Sequence, residues 1–335
     1  MSSDLKKVDV VIPVYNAADA TRRCIESIYK HVGHKISGVY IHDDKSDEET
    51  ANMLDEFDFP NLHVHHAEKN SGYGGAVNQA IARSKSDYVM MVSSDTVAED
   101  DFLTPLIEAL DEIPDLAALN ACGEVFARKH LDSYDQSAGY VKSYSLSGYA
   151  FLVRREAYEQ INGFDPYYGR GYFEDADIAR RFINNGWRLG MHPKTFLKHE
   201  HQGSFKSIKG VNELYEGNKV KYFERYPEAT KSIMLFSTNT AWVDMPADML
   251  EKVEVKLNAG AKVYWISKNP NQTQPCIDVK IFNKGMRRIV RLMNMRKRDR
   301  FKGVDEVWFA PDTGKLKLKI YRWFAQRRGI TVKEF

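Results

Sequence analysis

Residues 8–16 read VDVVIPVYN, and this stretch is the clearest indication of the fold class. From Val8 to Val14 the chain is apolar apart from one aspartate, which is typical of a strand buried on both faces of a parallel sheet. Cys24, Ile25 and Ile28 follow at helical spacing. A buried strand that leads into an amphipathic helix predicts the first β-α unit of an α/β domain.

The same alternation continues over the next hundred residues or so. Strands are expected at 38–42, 62–66 and 87–92, and helices at 72–83 and 102–110. Ser46 and Glu49 have the spacing of a capping box, which predicts a further helix start. This order predicts an open, mostly parallel central sheet that is flanked by helices and connected by right-handed crossovers.

Polar and glycine-rich residues follow the predicted strands at one edge of this sheet. The segments in question are Tyr15-Asn16, Asp43-Asp44, residues 70–75 and Ser93-Ser94-Asp95. Open α/β sheets bind ligands beyond the carboxyl ends of their strands. A ligand site at this edge is therefore expected from the topology alone.

The composition is that of a soluble globular protein. The 335 residues are 43% hydrophobic and 28% charged, and they contain no apolar run of the length that a transmembrane helix needs. The three cysteines are widely spaced and fit neither a disulfide framework nor a zinc motif. These features predict a reducing, cytoplasmic compartment.

The alternation restarts after about residue 230, where the charge also changes sign. Residues 231–335 hold 22 lysines and arginines against 10 acidic residues, whereas the first 230 residues hold 26 against 36. We therefore expect two units with different tasks, one over residues 1–228 and a small basic α/β unit over residues 229–335.

The role of the basic unit stays open between two interpretations. The stretch 286–328 combines basic residues with apolar faces on two predicted helices, 286–298 and 316–327. Such a stretch is compatible with peripheral contact at the anionic inner face of a membrane. A solvated charged face over an apolar core is the commoner explanation. Nucleic acid is not an expected partner, because no recognised binding motif is present.

The order of the segments resembles the family-2 glycosyltransferases, which adopt the GT-A fold. The matching pieces are, in chain order, VDVVIPVYN, IHDDKSDEET, NSGYGGAVNQAI, MMVSSDTVAEDDFL, residues 147–189 with GRGYFEDAD, and KHEHQGSF. Each piece alone is a weak signal, and the set in this order is specific. The basic C-terminal unit has no counterpart in the resemblance.

The resemblance implies a site for a UDP- or dTDP-linked sugar donor. The residues that it places there are Pro13, Tyr15, Asn16, Asp43, Asp44, Asn70, Gly72, Gly75, Asn78, Ser94 and Asp95. A carboxylate can accept the imide N–H of uracil or thymine, and glycines before a helix let the backbone approach a phosphate. The alternative is ordinary turn chemistry, because Asp, Asn and Gly are favoured in such loops.

A metal site is implied at the end of the fourth predicted strand. The family often has Asp-x-Asp there, but this chain has Ser93-Ser94-Asp95 and lacks the first acid. The resemblance makes Asp95 a ligand of Mn²⁺ or Mg²⁺, with His199 as the second ligand. His201 is a rival, since it would share a strand face with His199. The alternative is a pair of surface histidines.

The resemblance makes Asp175 the catalytic base that deprotonates the acceptor hydroxyl. It places Tyr172, Glu174 and Asp177 on the acceptor side. The alternative is that these acids lie in the first turn of a helix, where the helix dipole favours them in any protein.

The implied function is a metal-dependent inverting glycosyltransferase that uses a glycan acceptor, as in bacterial-type polysaccharide or lipid-linked glycan synthesis. The alternative is a catalytically inactive GT-A-like protein that binds through its basic C-terminal surface. A nucleotidyltransferase is disfavoured, because VIPVYNAADA has no glycine-rich loop with Arg or Lys after the first strand.

Overall fold

The computed structural model describes residues 6–123, 131–200, 210–268, 273–282 and 303–335. The chain forms two compact units, Met1–Asp132 with Gln136–Tyr222 and Ser133–Asp135 with Phe223–Phe335. Each unit has a sheet of its own. Within the described ranges, no helix combines the length and the apolar character needed to span a bilayer.

The first unit is built on one large sheet, which has nine strands in the part of the chain that is described. These are β1 (Val8–Val14), β2 (Ile36–Asp43), β3 (Leu62–His66), β4 (Tyr88–Val92), β5 (Thr96–Ala98), β6 (Leu116–Cys122), β7 (Val141–Ser143), β8 (Ala150–Arg154) and β9 (Arg188–His199). They lie in the order β3-β2-β1-β4-β8-β6-β9-β5, and β7 pairs with β9.

Helices connect these strands and cover both faces of the sheet. They are α1 (Ala18–Val32), α2 (Glu48–Asp55), α3 (Gly72–Arg83), α4 (Leu103–Glu112), α5 (Arg155–Gln160), α6 (Glu174–Asn184) and α7 (Val211–Arg225). Apolar side chains of α1, α2 and α4 pack in one core cluster, and those of α3, α5 and α6 pack in another. The two-layer covering explains why β1 is buried along its whole length.

One charged residue lies inside β1, and the structure shows why it is tolerated. Oδ2 of Asp9 accepts hydrogen bonds from the backbone N–H groups of Lys85 and Ser86, at 2.7 Å and 2.8 Å. A buried carboxylate is costly unless such partners satisfy it. Asp9 therefore fixes the turn that leads into β4.

The sheet is parallel where the sequence has the β-α alternation and mixed beyond it. The pairs β2–β3, β1–β2 and β1–β4 are parallel, as expected. By contrast, β8 runs antiparallel to both β4 and β6. If β8 ran parallel to its neighbours, the chain would have to cross over the sheet before it, which takes a dozen or more residues and usually a helix. Residues 131–149, just before β8, contain only a 3-10 turn and β7.

The start of α2 differs from the predicted capping box. The helix begins at Glu48, and the capping side chain is that of Asp47, which accepts from the Thr50 N–H at 2.9 Å. Ser46 instead accepts a hydrogen bond from the Asn16 N–H at 2.8 Å. The predicted cap at Ser46 was therefore wrong by one residue, because its hydroxyl serves a contact between two loops.

The second unit contains a five-stranded parallel sheet among its described residues. Its strands β10 (Ser232–Phe236), β11 (Lys262–Ile266), β12 (Val279–Phe282), β13 (Glu306–Phe309) and β14 (Thr331–Glu334) lie in the order β12-β11-β10-β13-β14. Helices α8 (Ala247–Asn258) and α9 (Lys315–Arg327) belong to the same unit. The predicted helix at 286–298 lies outside the described residues, and the basic stretch 286–328 is described only from residue 303.

Candidate active site

A cavity of about 470 Å³ lies at the edge of the first sheet where polar residues follow the strands. Most of the residues predicted for the site line it, namely Pro13, Tyr15, Asp44, Asn70, Gly72, Ser94, Asp95, Tyr172, Glu174, Asp175 and His199. The lining does not include Asn16, Asp43, Gly75, Asn78 or Asp177. His201 lies outside the described residues.

Asp95 and His199 are brought together by an antiparallel strand pair. Thr96 of β5 lies opposite His199 of β9, so the residue before β5 faces the end of β9. Nε2 of His199 lies 3.0 Å from Oδ1 of Asp95. The ring of Tyr149 stacks on the imidazole with centroids 5.1 Å apart. The two predicted metal ligands therefore converge, and an aromatic neighbour orients one of them.

Ser93 stands where the family often has its first acid. Its hydroxyl donates to Oδ1 of Asp95 at 2.7 Å. This contact orients the carboxylate that remains. The hydroxyl is neutral, so Ser93 does not supply the negative charge of an acid at this position.

Asp44 lines the cavity but also holds the loop after β3. Its Oδ1 accepts from the N–H and the hydroxyl of Ser71 at 2.6 Å and 2.8 Å, and its Oδ2 accepts from the Gly72 N–H at 2.8 Å. The first amides of α3, which we expected to face a phosphate, therefore face a carboxylate of the protein. Burial raises the pKa of Asp44 although these hydrogen bonds oppose the rise.

Two more of the predicted donor-binding residues support loops around the cavity. Asp43 accepts from the Ser46 N–H at 2.9 Å and contacts Nδ1 of His66 at 2.7 Å. Oδ1 of Asn16 accepts from the Asp47 N–H at 2.8 Å. Neither side chain is in the cavity lining. Their positions fit the turn-chemistry alternative.

Asn78 and Gly75 lie deeper in α3 and pack inside the unit. Asn78 bonds both backbone groups of Phe164, at 2.9 Å and 2.8 Å, and accepts from the Tyr158 hydroxyl. A Cβ atom at Gly75 would lie 2.8 Å from the Ser71 side chain. The Asn78 contacts hold α3 against the segment that leads to the acidic helix, whereas the Gly75 contact lies within the start of α3.

The acid pair Glu174–Asp175 begins α6 at the wall of the cavity. Asp175 accepts from the Ala176 N–H at 2.7 Å and from the Gly148 N–H at 3.3 Å. Burial raises the pKa of Asp175, and burial together with the neighbouring Asp175 charge raises the pKa of Glu174 to about 8. Oε2 of Glu174 has no hydrogen-bond partner among the described residues. Two adjacent buried acids with different environments are suited to proton transfer and ligand binding.

Asp177, which we predicted on the acceptor side, is absent from the cavity lining. It is fully buried, with Oδ2 2.6 Å from Nε of Arg181 and Oδ1 3.3 Å from the Tyr168 hydroxyl. The ion pair and the helix hold it inside the unit. Within the described structure, its geometry supports α6 more directly than it supports a ligand.

Among the residues of the cavity lining that sequence reasoning missed, three have aromatic or charged side chains. Tyr73 donates its hydroxyl to the Gly148 carbonyl, Tyr149 stacks on His199, and Arg170 is an exposed cation beside the acids. All three lie inside the segments that carry the family resemblance. Their side chains were not singled out, because their partners lie far away along the chain.

Comparisons with known proteins agree with this architecture. The mannosyltransferase PcManGT from Pyrobaculum calidifontis, whose structure holds GDP-Man and Mn²⁺, superposes with a TM-score of 0.50 at 19% identity, over 60% of this chain and 59% of that chain. This likeness concerns the fold. The first unit therefore has the mixed α/β fold of the GT-A glycosyltransferases.

The family follows from the sequence comparison. Residues 9–162 match the sequence profile described as glycosyl transferase family 2. The pre-mycofactocin glycosyltransferase of Mycobacterium tuberculosis (strain CDC 1551 / Oshkosh) is 26% identical over 72% of this chain and 53% of its own length. The succinoglycan biosynthesis protein ExoO of Rhizobium meliloti (strain 1021) is 30% identical over 53% of this chain and 49% of its own length. Residues 9–162 of the first unit are thus similar to glycosyl transferase family 2, and the chain spans about half the length of these relatives.

Proposed function

We propose that this chain transfers a sugar from a UDP- or dTDP-linked donor to a hydroxyl group of a glycan acceptor, with inversion at the anomeric carbon. The observation that carries the proposal is that Asp95, His199 and Asp175 all line one cavity. A pair of metal-binding side chains and a buried carboxylate are the groups that the reaction needs. The similarity of residues 9–162 to glycosyl transferase family 2 supports the reaction class.

Asp95, which lies between β4 and β5, and His199, at the end of β9, fit a divalent cation. Asp95 and His199 offer one carboxylate oxygen and one imidazole nitrogen 3.0 Å apart. Mn²⁺ accepts both ligand types, whereas Mg²⁺ prefers oxygen. No cluster of three such side chains occurs within the described ranges. Donor phosphates and water are further oxygen ligands that both cations accept. When bound, the cation would offset the charge of the departing diphosphate.

Asp175 is the proposed base. The acceptor hydroxyl gives its proton to the carboxylate as its oxygen bonds to the anomeric carbon and the bond to the diphosphate breaks. Attack from the face opposite the leaving group inverts the configuration. The Gly148 N–H holds the carboxylate in place, and burial raises its pKa, which makes it a stronger base than an exposed aspartate.

Tyr172 and Glu174 are proposed to form the acceptor side of the cavity. Tyr172 presents an aromatic ring suited to the apolar face of a sugar, and Glu174 presents a carboxyl group suited to a sugar hydroxyl. A glycan acceptor in bacterial polysaccharide synthesis is supported by the name of the Rhizobium relative. We place the reaction in the cytoplasm, with peripheral membrane contact through residues 286–328 as the accompanying hypothesis.

Calorimetric titration of the full chain with UDP, dTDP and GDP, with and without Mn²⁺, tests the proposal. GDP is included because the structurally similar mannosyltransferase was crystallised with GDP-Man. We expect Mn²⁺-dependent binding of UDP or dTDP that is lost in Asp95→Ala and retained in Asp58→Ala, which removes an exposed aspartate. Binding of none of the three nucleotides would favour the alternative of an inactive protein that acts through its basic surface.

A further inference from the structure

The five residues that precede the acid pair have an unusual backbone. Gly169, Gly171, Tyr172 and Phe173 all have positive φ, at 61°, 145°, 69° and 70°. Two consecutive aromatic residues in the left-handed region are rare, because the Cβ atom is crowded there. Such a conformation persists only where the surroundings hold it. The loop 169–173 therefore needs contacts that fix it.

One buried side chain contacts two carbonyls of this loop and the carbonyl of the residue before it. Nδ2 of Asn218 lies 2.6 Å from the Tyr168 carbonyl, 2.7 Å from the Gly171 carbonyl and 3.3 Å from the Tyr172 carbonyl. Asn218 is only 1% exposed. Three carbonyls around one atom fix the orientation of the amide, because only its NH₂ group can donate to them.

The face of α7 that carries Asn218 packs on the same loop. Tyr215, Asn218 and Tyr222 recur at the spacing of one helical face. The ring of Tyr215 contacts those of Tyr172 and Phe173 with centroids 5.5 Å and 5.4 Å apart, and Tyr222 contacts Phe173 at 5.3 Å. The helix thus covers the loop and excludes water from the three hydrogen bonds.

The start of α3 holds the loop from the other side. The Tyr73 N–H donates to the Arg170 carbonyl at 3.3 Å. A Cβ atom at Gly72 would lie about 2.5 Å from the Cα atom of Arg170, so only glycine permits this approach. The loop therefore packs between α3 and α7, and it leads directly into Glu174 and Asp175.

We propose that Asn218 is a positioning residue that locks loop 169–173, so that Tyr172 faces the acceptor and Asp175 stays aligned for proton transfer. Asn218 is absent from the cavity lining and acts through the backbone that it holds. This inference rests on the proposed function for its catalytic readout. It also predicts a structural readout that needs no activity.

Asn218→Asp tests the lock, because it keeps the size of the side chain and replaces its NH₂ donor with an oxygen that repels the three carbonyls. We expect faster hydrogen exchange in peptides that cover residues 169–173, with protection of β1 and β4 unchanged. We expect kcat for transfer to fall about 10- to 100-fold. The Kd of UDP with Mn²⁺ should change less than about threefold. Asn185→Asp, an exposed amide with one hydrogen bond at the end of α6, is the matched control.

The possible outcomes distinguish failure of the positioning role of Asn218 from failure of the proposed transferase function. If transfer is undetectable in the wild type, the proposed function fails while hydrogen exchange still decides the lock. Unchanged exchange at 169–173 in a folded Asn218→Asp protein would overturn the inference, and so would an equal fall in kcat for Asn185→Asp. Should Asn218→Asp fail to fold, Asn218→Ser retains one hydroxyl donor and should show the same local change in milder form.

Discussion

Nε2 of His199 lies 3.0 Å from Oδ1 of Asp95, although the two residues are 104 positions apart in the chain. The antiparallel pair of β5 and β9 creates this contact, and the Ser93 hydroxyl and the Tyr149 ring fix its two members. If these two side chains bind a metal ion, as we propose, coordination positions would remain for a diphosphate. Metal binding and nucleotide binding should therefore depend on each other.

Asp95→Ala and His199→Ala should each weaken Mn²⁺-dependent UDP binding at least tenfold, because each removes one of two proposed ligands. Titration calorimetry with and without Mn²⁺ measures the effect. His34→Ala, which truncates an exposed histidine, serves as the matched control for the second change. UDP binding by both site variants with the wild-type dependence on Mn²⁺ would contradict the assignment.

Asp175→Asn should lower kcat about 10²- to 10⁴-fold, the range that general-base catalysis contributes. The amide keeps the size of the side chain but cannot accept the acceptor proton. Binding of UDP and Mn²⁺ should be unaffected, since Asp175 belongs to the acid pair and not to the metal-binding pair. Initial rates at saturating donor measure this, with Asp58→Asn as control. A wild-type rate in Asp175→Asn would remove this residue from the chemistry.

Glu174→Gln should retain activity at pH 7, whereas Glu174→Ala should lose it. Burial, with the Asp175 charge in addition, raises the pKa of Glu174 to about 8, so the side chain is neutral at pH 7 and glutamine resembles it. As the pH passes 8, ionisation of Glu174 would remove the carboxyl O–H group that can donate to an acceptor hydroxyl, a donor that the NH₂ group of glutamine replaces. We expect the wild-type rate to fall there.

The pH profile of Glu174→Gln tests whether ionisation of Glu174 causes the fall in rate. Glutamine cannot ionise, so the fall in rate near pH 8 should be absent in Glu174→Gln. Tyr73, Tyr172, Asp175 and Arg170 also line this part of the cavity, and all of them are unchanged in the variant. A Gln variant that is as inactive as the Ala variant at pH 7 would show that an ionised Glu174 is needed.

The elements with local signals could be predicted from the sequence, and the contacts between distant loops could not. Gly72–Arg83 and Leu62–His66 have the bounds that periodicity predicted. Asp44 was placed in the site, but its hydrogen bonds to Ser71 and Gly72 depend on two loops meeting in space. Asn218 carries no local signal at all, because its partners lie 46 to 50 residues away. The last strand, Thr331–Glu334, was missed because its TVKE sequence is largely polar.

Asp44→Asn should destabilise the first unit by about 1–3 kcal/mol, the cost of leaving a buried donor without a partner. The amide replaces one acceptor oxygen with a donor, which would face the N–H groups at the start of α3. Urea denaturation at pH 7 measures the change. Asp47→Asn, which keeps an N-cap side chain at α2, should cost much less. A stable Asp44→Asn protein with weakened UDP binding would instead support a direct contact with the donor.

His66 links the end of β3 to Asp43 and Asp55, and this link should make stability depend on pH. Burial lowers the pKa of His66, but hydrogen bonds and charge from the two carboxylates outweigh it, and the pKa lies above its ordinary value of 6.5. Because the folded pKa is raised, the contribution to stability is fully present below about pH 6.5 and is lost as the pH rises through the folded pKa.

The free energy of unfolding of the wild type should exceed that of His66→Gln by more at pH 6 than at pH 9. Urea denaturation at several pH values measures this difference, and His34→Gln, at an exposed histidine, should show no such trend. NMR titration of His66 adds a second check, since Asp55→Asn removes one of its two partners and should lower its pKa. A difference between wild type and His66→Gln that stays constant with pH would mean that the pKa of His66 is the same in the folded and the unfolded protein, so that Asp43 and Asp55 do not raise it.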